Sequence, residues 1–454
     1  MNRAAMREAR REPGCAHNAK KKDNACPRPT PGKAAGGCAF DGALITLSPI
    51  TDAAHVIHGP IGCVGNTWNN RGSLSSGPKM YRVALTTDVT NEDVVFGGEK
   101  KLYKAVREVI RNYNPPAVFV YQTCVTSMIG DDIGAVCKAL TEKTGVPVIP
   151  VEAPGFTGTK NFGNRLAGGA LLEHVIGTRE PATAHPYNVN LIGEFNIAGE
   201  LWLVLPILDK IGIRVICSLS GDARFERIGM MHRANVNMMV CSRALLNVAR
   251  KMEEKYEIPY FEGSFYGSGN TERSIMRMCE LMGDDALIAR AREVLADERA
   301  RVAPALAALR AKLSGKRALL YTGGVKSWSI ISALQELGMT VIATGTKKST
   351  EEDKARIVEL MGEDARMIEE GAPEKLLAIF RGEKADILLA GGRNQYTAVK
   401  ARLPFVDVNQ ERHTPFTGFT GHINLGRKLL DALESPVHAL ACQPDPFGAV
   451  EALP

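Results

Sequence analysis

The sequence predicts an α/β protein of three doubly wound domains with parallel sheets, preceded by a basic N-terminal arm. Its 454 residues are too many for one hydrophobic core. Beyond Gly36, short runs rich in Val and Ile alternate with longer amphipathic stretches, as is typical of βαβ units. Several of these runs end in loops containing Gly, Cys or Thr, and ligands commonly bind at the carboxyl ends of parallel strands. These are the features of Rossmann-like domains.

The elements follow in chain order. We predict strands at Ala117–Tyr121, Val146–Val151, Val189–Gly193, Val215–Leu219, Met238–Val240, Tyr260–Gly263, Ala318–Thr322, Thr340–Thr344, Ile387–Ala390 and Phe405–Val408. Helical stretches are predicted at Lys100–Asn112, Ile133–Thr144, Arg243–Tyr256, Leu287–Leu313 and Thr350–Met361. The segment Arg179–Tyr187, with two prolines, is typical of a linker. We therefore expect a flexible arm over residues 1–35 and domains over residues 36–180, 181–315 and 316–454, the last including the C-terminal helix and tail.

The charge pattern excludes several classes of protein. Residues 1–35 contain nine Lys or Arg and three acids, which accounts for the net charge of +6 and leaves a neutral body. A nucleic-acid-binding protein would instead line a folded face with basic residues. No apolar run approaches the length of a membrane span, and the arm lacks the apolar middle of a signal peptide, so we expect a cytoplasmic protein. The absence of a GxxxxGK(S/T) loop argues against an intrinsic ATP site.

Three of the ten cysteines lie in settings that favour metal binding. Cys38 and Cys63 follow glycines, which let the backbone wrap closely around a bulky ligand, and Cys124 follows a predicted strand. Their wide separations exclude a zinc knuckle or a CxxC pair but suit an iron–sulfur cluster, which usually has four thiolate ligands. Three candidates indicate a fourth ligand from another chain. The apolar runs predict three core thiols: Cys137, Cys217 and Cys279.

The segments around these cysteines resemble the cluster-binding segments of the nitrogenase component 1 superfamily. They are Gly37–Gly42, His58–Cys63, and Cys124 with the Gly130-Asp131-Asp132 run that follows it. The stretch Asn237–Cys241, with Phe261–Gly267, is similar to the cofactor-ligating loop of the α-type subunits. Within the superfamily, the resemblance is closest to α-like subunits that serve as scaffolds for assembly of the iron–molybdenum cofactor, and it covers nearly the whole chain.

The resemblance implies two metal sites. Cys38, Cys63 and Cys124 would be three ligands of a permanent 4Fe-4S cluster at a subunit interface, and a NifN-type β-like partner would supply the fourth. Cys241 would anchor a transient eight-iron precursor of the cofactor through one terminal iron. The implied assembly is a heterotetramer of two copies of each subunit. Further implied partners are a NifB-type precursor donor, the nitrogenase Fe protein, which assists insertion of molybdenum and homocitrate, and apo-nitrogenase as acceptor.

Departures from the catalytic α subunit favour a scaffold over an enzyme. That subunit holds its cofactor with a cysteine and a histidine, but here the second position is Asn409, and a carboxamide is a poor metal ligand. Lys160 and Asn164 replace a histidine and a glutamine near the substrate-binding face, which removes a proton donor. Lys326 replaces a cofactor-facing arginine. The other implied cofactor-binding residues are the matching Arg71, which could pair with an anionic cluster or homocitrate, and Lys347 and Lys348, for which a solvated helix start is an equal alternative.

These observations predict a non-catalytic scaffold that holds an iron–sulfur precursor during molybdenum and homocitrate insertion and releases it to apo-nitrogenase. The main alternative is a catalytic nitrogenase-type reductase α subunit, against which Asn164 and Asn409 argue. A dark-operative protochlorophyllide reductase subunit would have no need of Cys241. The equivalent scaffold of a vanadium nitrogenase stays open, as does a residual reductase activity of the loaded complex.

Overall fold

The computed structural model describes residues 37–67, 73–241, 245–347, 349–409 and 411–436, together with residues 440 and 443. The basic arm, Arg71, Lys348 and Cys442 therefore lie outside the described residues. The strands are β1 (Ala54–His58), β2 (Leu85–Thr86), β3 (Val118–Gln122), β4 (Val148–Val151), β5 (Asn188–Ile192), β6 (Arg214–Leu219), β7 (Val236–Met239), β8 (Tyr260–Glu262), β9 (Arg317–Tyr321), β10 (Thr340–Gly345), β11 (Met367–Ile368), β12 (Ile387–Ala390) and β13 (Phe405–Asp407).

The helices are α1 (Ala39–Leu47), α2 (Ile61–Thr67), α3 (Asn91–Phe96), α4 (Glu99–Tyr113), α5 (Cys124–Met128), α6 (Ile133–Thr144), α7 (Lys160–His174), α8 (Glu200–Ile211), α9 (Phe225–Gly229), α10 (Leu246–Tyr256), α11 (Ser268–Met282), α12 (Asp285–Leu313), α13 (Val325–Glu336), α14 (Glu351–Met361), α15 (Pro373–Gly382), α16 (Gln395–Ala401) and α17 (Gly418–Leu433). Across the described part of the chain, none of these helices combines the length and apolar character that a membrane crossing requires.

The strands form three sheets in which every strand pair is parallel. The chain divides into two compact units. The first unit, which runs to Ser264 and includes Glu272–Leu295, contains the sheets β2-β1-β3-β4 and β6-β5-β7-β8. The second unit, Phe265–Thr271 and the residues from Ala296 onward, contains the sheet β11-β10-β9-β12-β13. The predicted α/β class with parallel, Rossmann-like sheets is confirmed, whereas the predicted domain boundaries stay predictions.

The first sheet is covered on both faces, which explains why its central strand is almost wholly apolar. All five residues of β3 are buried. Val118 and Val120 belong to the core that contains α4 and α6, whereas Phe119 and Tyr121 belong to the core that contains α1 and α7. Helix α4 contributes buried residues at helical spacing, namely Leu102, Val106 and Val109.

All ten predicted strands are present with bounds shifted by two residues at most, and three further strands were missed. Two of the missed strands, β2 and β11, have only two residues each. The third, β1, has the sequence Ala-His-Val-Ile-His, and both of its histidines are fully buried. Polar residues are usually exposed, so the two histidines argue against a buried strand in the sequence. In the structure their imidazoles have hydrogen-bond partners far away in the chain.

The second sheet also contains polar residues in its core. Asn190 of β5 donates from Nδ2 to Oδ1 of Asn237 on the neighbouring strand β7 at 2.8 Å, and both side chains are fully buried. Strands β5 and β7 are parallel, with Ile192 paired to Met239 at their carboxyl ends. Cys241 lies two residues beyond β7, so it is held at this edge of the sheet.

In the second unit, two helices begin at the carboxyl edge of the five-stranded sheet. Gly324, with φ of 66°, precedes α13 in a backbone conformation that favours glycine. Thr350 and Asp353 form a reciprocal capping box at the start of α14. Asp353 also accepts a hydrogen bond from Nε1 of Trp328 at 2.9 Å, which ties α14 to α13. These contacts fix the first turn of α13, which carries Lys326, and the segment between β10 and α14, which carries Lys347.

Candidate metal centre

Two of the three candidate cluster cysteines follow neighbouring strands. Strands β1 and β3 pair in parallel, with His58 beside Gln122 at their carboxyl ends. Cys63 lies in α2, just after β1, and Cys124 is the first residue of α5, just after β3. Because parallel neighbours end at the same edge of a sheet, the chain brings these two cysteines to one place.

Helix α1 brings the third cysteine to the same edge. Cys38 is the N-cap residue of α1 and forms an isolated bridge with Thr159, the N-cap residue of α7. A Cβ atom added to Gly155, in the loop after β4, would lie 3.0 Å from Sγ of Cys38 and 3.1 Å from Sγ of Cys124. Both sulfur atoms therefore converge on the bare backbone of Gly155.

Cys63 completes the group. Burial raises the pKa of its thiol, and the nearby Cys124 and Cys38 raise this pKa further. Each of the three residues is partly exposed. In contrast, burial raises the pKa of Cys137 and Cys217 to about 12 and that of Cys279 to about 11. All three of the latter are buried, which confirms the predicted core thiols.

The three partly exposed thiols fit an iron–sulfur cluster. Thiolates placed close together repel one another, and bound iron would compensate their charge. Gly155 leaves the space between two sulfurs that a side chain would fill. Within the described ranges, no group of three or more His, Cys, Asp or Glu residues is placed to bind a single metal ion.

Cys241 stands at the edge of the second sheet. A Cβ atom on Gly193, which follows β5 with φ of 95°, would lie 2.8 Å from Cβ and 3.0 Å from the backbone nitrogen of Cys241. Only glycine allows this approach and this backbone conformation together. Cys241 is partly exposed and packs against the apolar core of the first unit. A partly exposed thiol on such a fixed loop could bind a metal or a cluster.

The predicted cofactor-facing residues of α7 take part in helix packing. Lys160 begins α7, and Asn164 lies one turn further on. Asn164 is buried, and its Oδ1 accepts a hydrogen bond from Oγ1 of Thr46 on α1 at 3.2 Å. The carboxamide of Asn164 therefore joins α7 to the helix that Cys38 begins. Its predicted contact with a cofactor stays a prediction, as does that of Lys160.

In the second unit, Lys326 binds the residue that precedes Asn409. Nζ of Lys326 donates to the carbonyl oxygen of Val408 at 3.2 Å and lies 4.9 Å from the ring centre of Tyr266. Asn409 is the next residue, and its backbone nitrogen donates to Oδ1 of Asp407 at 2.8 Å. Lys347 is exposed just after β10. These contacts place the ammonium group of Lys326 beside the loop of Asn409.

Sequence reasoning missed Gly155, the residue on which two of the sulfurs converge. Its only signal is the Pro154-Gly155 pair, which is typical of any turn. The glycines that precede Cys38 and Cys63 are visible in the sequence because they are adjacent to these cysteines. Gly155 is distant in sequence and becomes relevant only through the parallel order of β3 and β4.

Comparison with known proteins agrees with this geometry. The chain matches the family described as nitrogenase component 1 type oxidoreductase over residues 38–434. A solved structure described as nitrogenase Cp1 at pH 5 superposes with a TM-score of 0.84 at 28% identity, covering 93% of this chain and 92% of that one. The chain belongs to the nitrogenase component 1 family, and the resemblance found in its sequence is confirmed.

Its relatives within the family include cofactor-biosynthesis proteins. The nitrogenase iron-molybdenum cofactor biosynthesis protein NifE of Nostoc sp. strain PCC 7120 is 57% identical over 447 residues, which are 97% of this chain and 93% of that protein. The protein of the same name from Klebsiella pneumoniae is 55% identical over 436 residues, which are 94% of this chain and 95% of that protein.

Proposed function

We propose that this chain is a cytoplasmic scaffold subunit for assembly of the iron–molybdenum cofactor of nitrogenase. It holds an iron–sulfur precursor while molybdenum and homocitrate are inserted, and then releases it to apo-nitrogenase. The observation that carries the proposal is the division of its partly exposed thiols into two sites: Cys38 and Cys124 at Gly155 with Cys63 near both, and Cys241 against Gly193. The site of Cys38, Cys63 and Cys124 suits a permanent cluster, and the site of Cys241 suits a precursor that is bound and later released. The NifE names of its relatives support the same role.

The first site would hold a 4Fe-4S cluster shared with a partner chain. Three thiolates leave one iron of such a cluster without a ligand from this chain. Exposed apolar side chains lie close in the chain to these residues: Ile61, two residues before Cys63, is 62% exposed, Met128, in the helix that Cys124 begins, 78%, and Phe156, next to Gly155, 54%. Exposed apolar residues near a binding site are typical of a protein–protein interface. A NifN-type β-like subunit would cover them and supply the fourth thiolate, giving a heterotetramer of two copies of each subunit.

The second site would bind the eight-iron precursor through the thiolate of Cys241. The bound cluster supplies the redox chemistry, and the protein supplies anchoring and release. Asn409 supports release, because a carboxamide binds iron more weakly than the imidazole that the family resemblance implies at this position. The precursor would come from a NifB-type donor, and the nitrogenase Fe protein would supply electrons and ATP hydrolysis. The equivalent role in a vanadium system is the second candidate.

A radio-iron chase under strict anaerobiosis tests this function. The chain would be purified with its β-like partner, loaded with labelled precursor and mixed with unlabelled apo-nitrogenase, with and without molybdate, homocitrate and Fe protein. We expect the label to move only with the full mixture, and Cys241→Ala to fail to load it. Cys279→Ala, which removes a thiol from the core, is the matched control and should load normally.

The opposite result would indicate a catalytic subunit. If iron stays bound to the complex while the complex reduces substrate at enzyme-like rates, the chain is a reductase subunit. Replacement of molybdate by vanadate in the same mixture decides between the two metals, because only the physiological heterometal should promote transfer.

A further inference from the structure

A buried polar network lies directly beside the cysteines of the proposed cluster. Its centre is His58, the last residue of β1, whose side chain is fully buried. Nδ1 of His58 lies 3.0 Å from Oγ1 of Thr87, and Nε2 lies 2.8 Å from Oδ2 of Asp131. Since a carboxylate only accepts hydrogen bonds, Nε2 carries the proton and Nδ1 accepts from the hydroxyl of Thr87. The tautomer of His58 is thus set by its two partners.

Asp131 connects this histidine to a third segment. Its carboxylate is also buried, and it accepts hydrogen bonds from the backbone nitrogen of Gly98 at 3.0 Å (Oδ1) and 3.2 Å (Oδ2). A Cβ atom on Gly98 would lie 2.7 Å from Oδ2 of Asp131 and 2.9 Å from Cε1 of His58. A side chain at position 98 would therefore force the carboxylate and the imidazole apart. Because glycine has no side chain, the start of α4 can pack directly against the imidazole of His58 and the carboxylate of Asp131.

The backbone of His58 holds the helix that begins with Cys124. Its carbonyl oxygen accepts from the backbone nitrogen of Thr123 at 3.2 Å, from Oγ1 of Thr123 at 2.9 Å and from Oγ1 of Thr126 at 3.0 Å. Thr123 is the N-cap residue of α5, and Cys124 is its first residue. The backbone nitrogen of Asp131 in turn donates to the carbonyl oxygen of Thr126 at 3.1 Å. Both ends of α5 are therefore tied to His58.

The same residue precedes the loop of Cys63. His58 is followed by Gly59, whose backbone nitrogen donates to Oγ1 of Thr87 at 3.1 Å, and by the start of α2. A Cβ atom on Gly59 would overlap Oγ1 of Thr123, so the segments that lead into α2 and α5 touch here. The position of Cys63 relative to Cys124 is thus set at the place where Asp131 holds His58.

We propose that Asp131 is a positioning residue for the cluster: it fixes the spacing of the Cys63 and Cys124 thiolates through His58, and its buried carboxylate lowers the reduction potential of the cluster. The first effect follows from the chain of hydrogen bonds. The second follows because reduction adds negative charge to a cluster, and a nearby buried negative charge opposes this addition. This inference rests on the proposed cluster at these cysteines.

The neighbouring residue offers a matched control. Asp132 is exposed, and its Oδ1 accepts from the backbone nitrogen of Ala135 at 2.9 Å as the N-cap of α6. Asp132 has the same side chain as Asp131 and is its neighbour in the sequence, but none of the described contacts joins it to His58. Asp131→Asn removes the charge and keeps the shape, whereas Thr87→Val removes the partner of Nδ1 and leaves the charge of Asp131 in place.

The test uses the complex of the full chain with its β-like partner, prepared anaerobically. Iron content, thermal unfolding, the rate of iron loss to an excess of chelator, and the midpoint potential of the resident cluster by EPR-monitored titration are measured for each variant. We expect Asp131→Asn to raise the midpoint potential and to speed iron loss several-fold. Thr87→Val should speed iron loss without moving the potential, and Asp132→Asn should match the unmodified complex in both.

The outcomes separate this inference from the proposed function. If the unmodified complex contains no cluster iron that depends on Cys38 or Cys124, the proposed cluster site fails. If the cluster is present but Asp131→Asn leaves potential and iron loss unchanged, Asp131 is not a positioning residue. If Asp131→Asn does not fold, Thr87→Val decides the matter, because unchanged iron loss in that variant overturns the inference.

Discussion

Gly42 and Gly163 lie face to face at the crossing of α1 and α7. A Cβ atom on Gly42 would overlap the carbonyl oxygen of Lys160, and one on Gly163 would overlap the carbonyl oxygen of Ala39. Each glycine therefore lets the backbone of the other helix approach. Because Cys38 is the N-cap residue of α1 and Lys160 begins α7, this contact sets the distance between a proposed cluster ligand and a predicted cofactor-facing residue.

Gly163→Ala should destabilise the first unit. The added methyl group overlaps backbone, so the two helices must separate, and overpacking of this kind costs about 1–3 kcal/mol. The same separation should displace Cys38 and lower the iron content of the complex. Chemical denaturation and iron analysis measure the two effects. Gly382→Ala, at a helical glycine whose added Cβ meets nothing within 4 Å, should be neutral or slightly stabilising. Normal iron content in Gly163→Ala would contradict the coupling between this crossing and Cys38.

Gly155→Ala should empty the proposed cluster site with little effect on folding. Its Cβ would lie near 3 Å from two sulfur atoms, at the place of the proposed cluster, whereas Gly155 itself is only half-buried. Iron content and the EPR signal of the reduced complex should fall, and the unfolding temperature should change by only a few degrees. An intact signal would place the cluster elsewhere. The Gly382→Ala variant again serves as the control.

His55 should make the stability of the protein depend on pH. Burial lowers its pKa to about 4, from the usual 6.5, and outweighs the opposite effect of the Ile50 carbonyl oxygen, to which Nε2 donates. Nδ1 pairs with the hydroxyl of Tyr121 at 2.8 Å, and the ring stacks on Phe119. Between these two pKa values the unfolded chain binds a proton that the folded chain does not. Stability is therefore complete above pH 6.5 and falls as the pH drops towards 4, by about 3 kcal/mol in total.

Denaturant unfolding at several pH values measures this dependence. His55→Gln, which does not titrate, should be less stable at neutral pH but should show a shallower fall below pH 6.5. His58 and His422, whose pKa values burial also lowers, contribute equally to both proteins. The same pH slope in both proteins would show that His55 takes up its proton in the folded state.

The cysteines should separate into two reactivity classes in protein from which iron has been removed. Cys38, Cys63, Cys124 and Cys241 are partly exposed and should react with an alkylating reagent under native conditions. The three core thiols should react only on unfolding, because they are buried and their thiolates form at a pKa near 11 or 12. Peptide mass spectrometry measures each site. Rapid alkylation of Cys217 in folded protein would contradict the assignment.

Asn409→His should slow release of the precursor. The family resemblance implies a histidine ligand at this position in the catalytic subunit, and an imidazole binds iron more tightly than a carboxamide. The half-time of label transfer to apo-nitrogenase should lengthen, while Asn409→Gln, which keeps the carboxamide, should release at the normal rate. Equal transfer by both variants would remove Asn409 from the release mechanism.

The sequence predicted the parallel sheets well because their signal is local. Central strands such as β3 and β12 are apolar on both faces, and this pattern is visible without knowledge of the partners. Strand β1 was missed because His55 and His58 satisfy their polar atoms on Tyr121 and Asp131, which lie 66 and 73 residues away. A local sequence pattern carries no information about hydrogen bonds between residues so far apart in the chain.

The candidate site also has a part that the sequence predicts and a part that it does not. Cys38 and Cys63 could be selected because glycines adjoin them, and Cys124 because a predicted strand precedes it. The role of Gly155 depends on the order β1-β3-β4, which sequence periodicity does not encode. The polar contacts of Asp131 likewise required the close packing of four separate segments.

The position of Gly155 also determines when the cluster site can come into existence. A ribosome extends a chain by roughly 5–20 residues each second, so an interval on the order of ten seconds separates the synthesis of Cys38 from that of Gly155. Strand β4, which carries the chain to Gly155, is the last strand of the first sheet to be synthesised. Until then the proposed cluster site lacks the segment on which two of its sulfur atoms converge. Iron insertion at that site would therefore follow the synthesis of β4, and the early thiols would have to stay reduced during this interval.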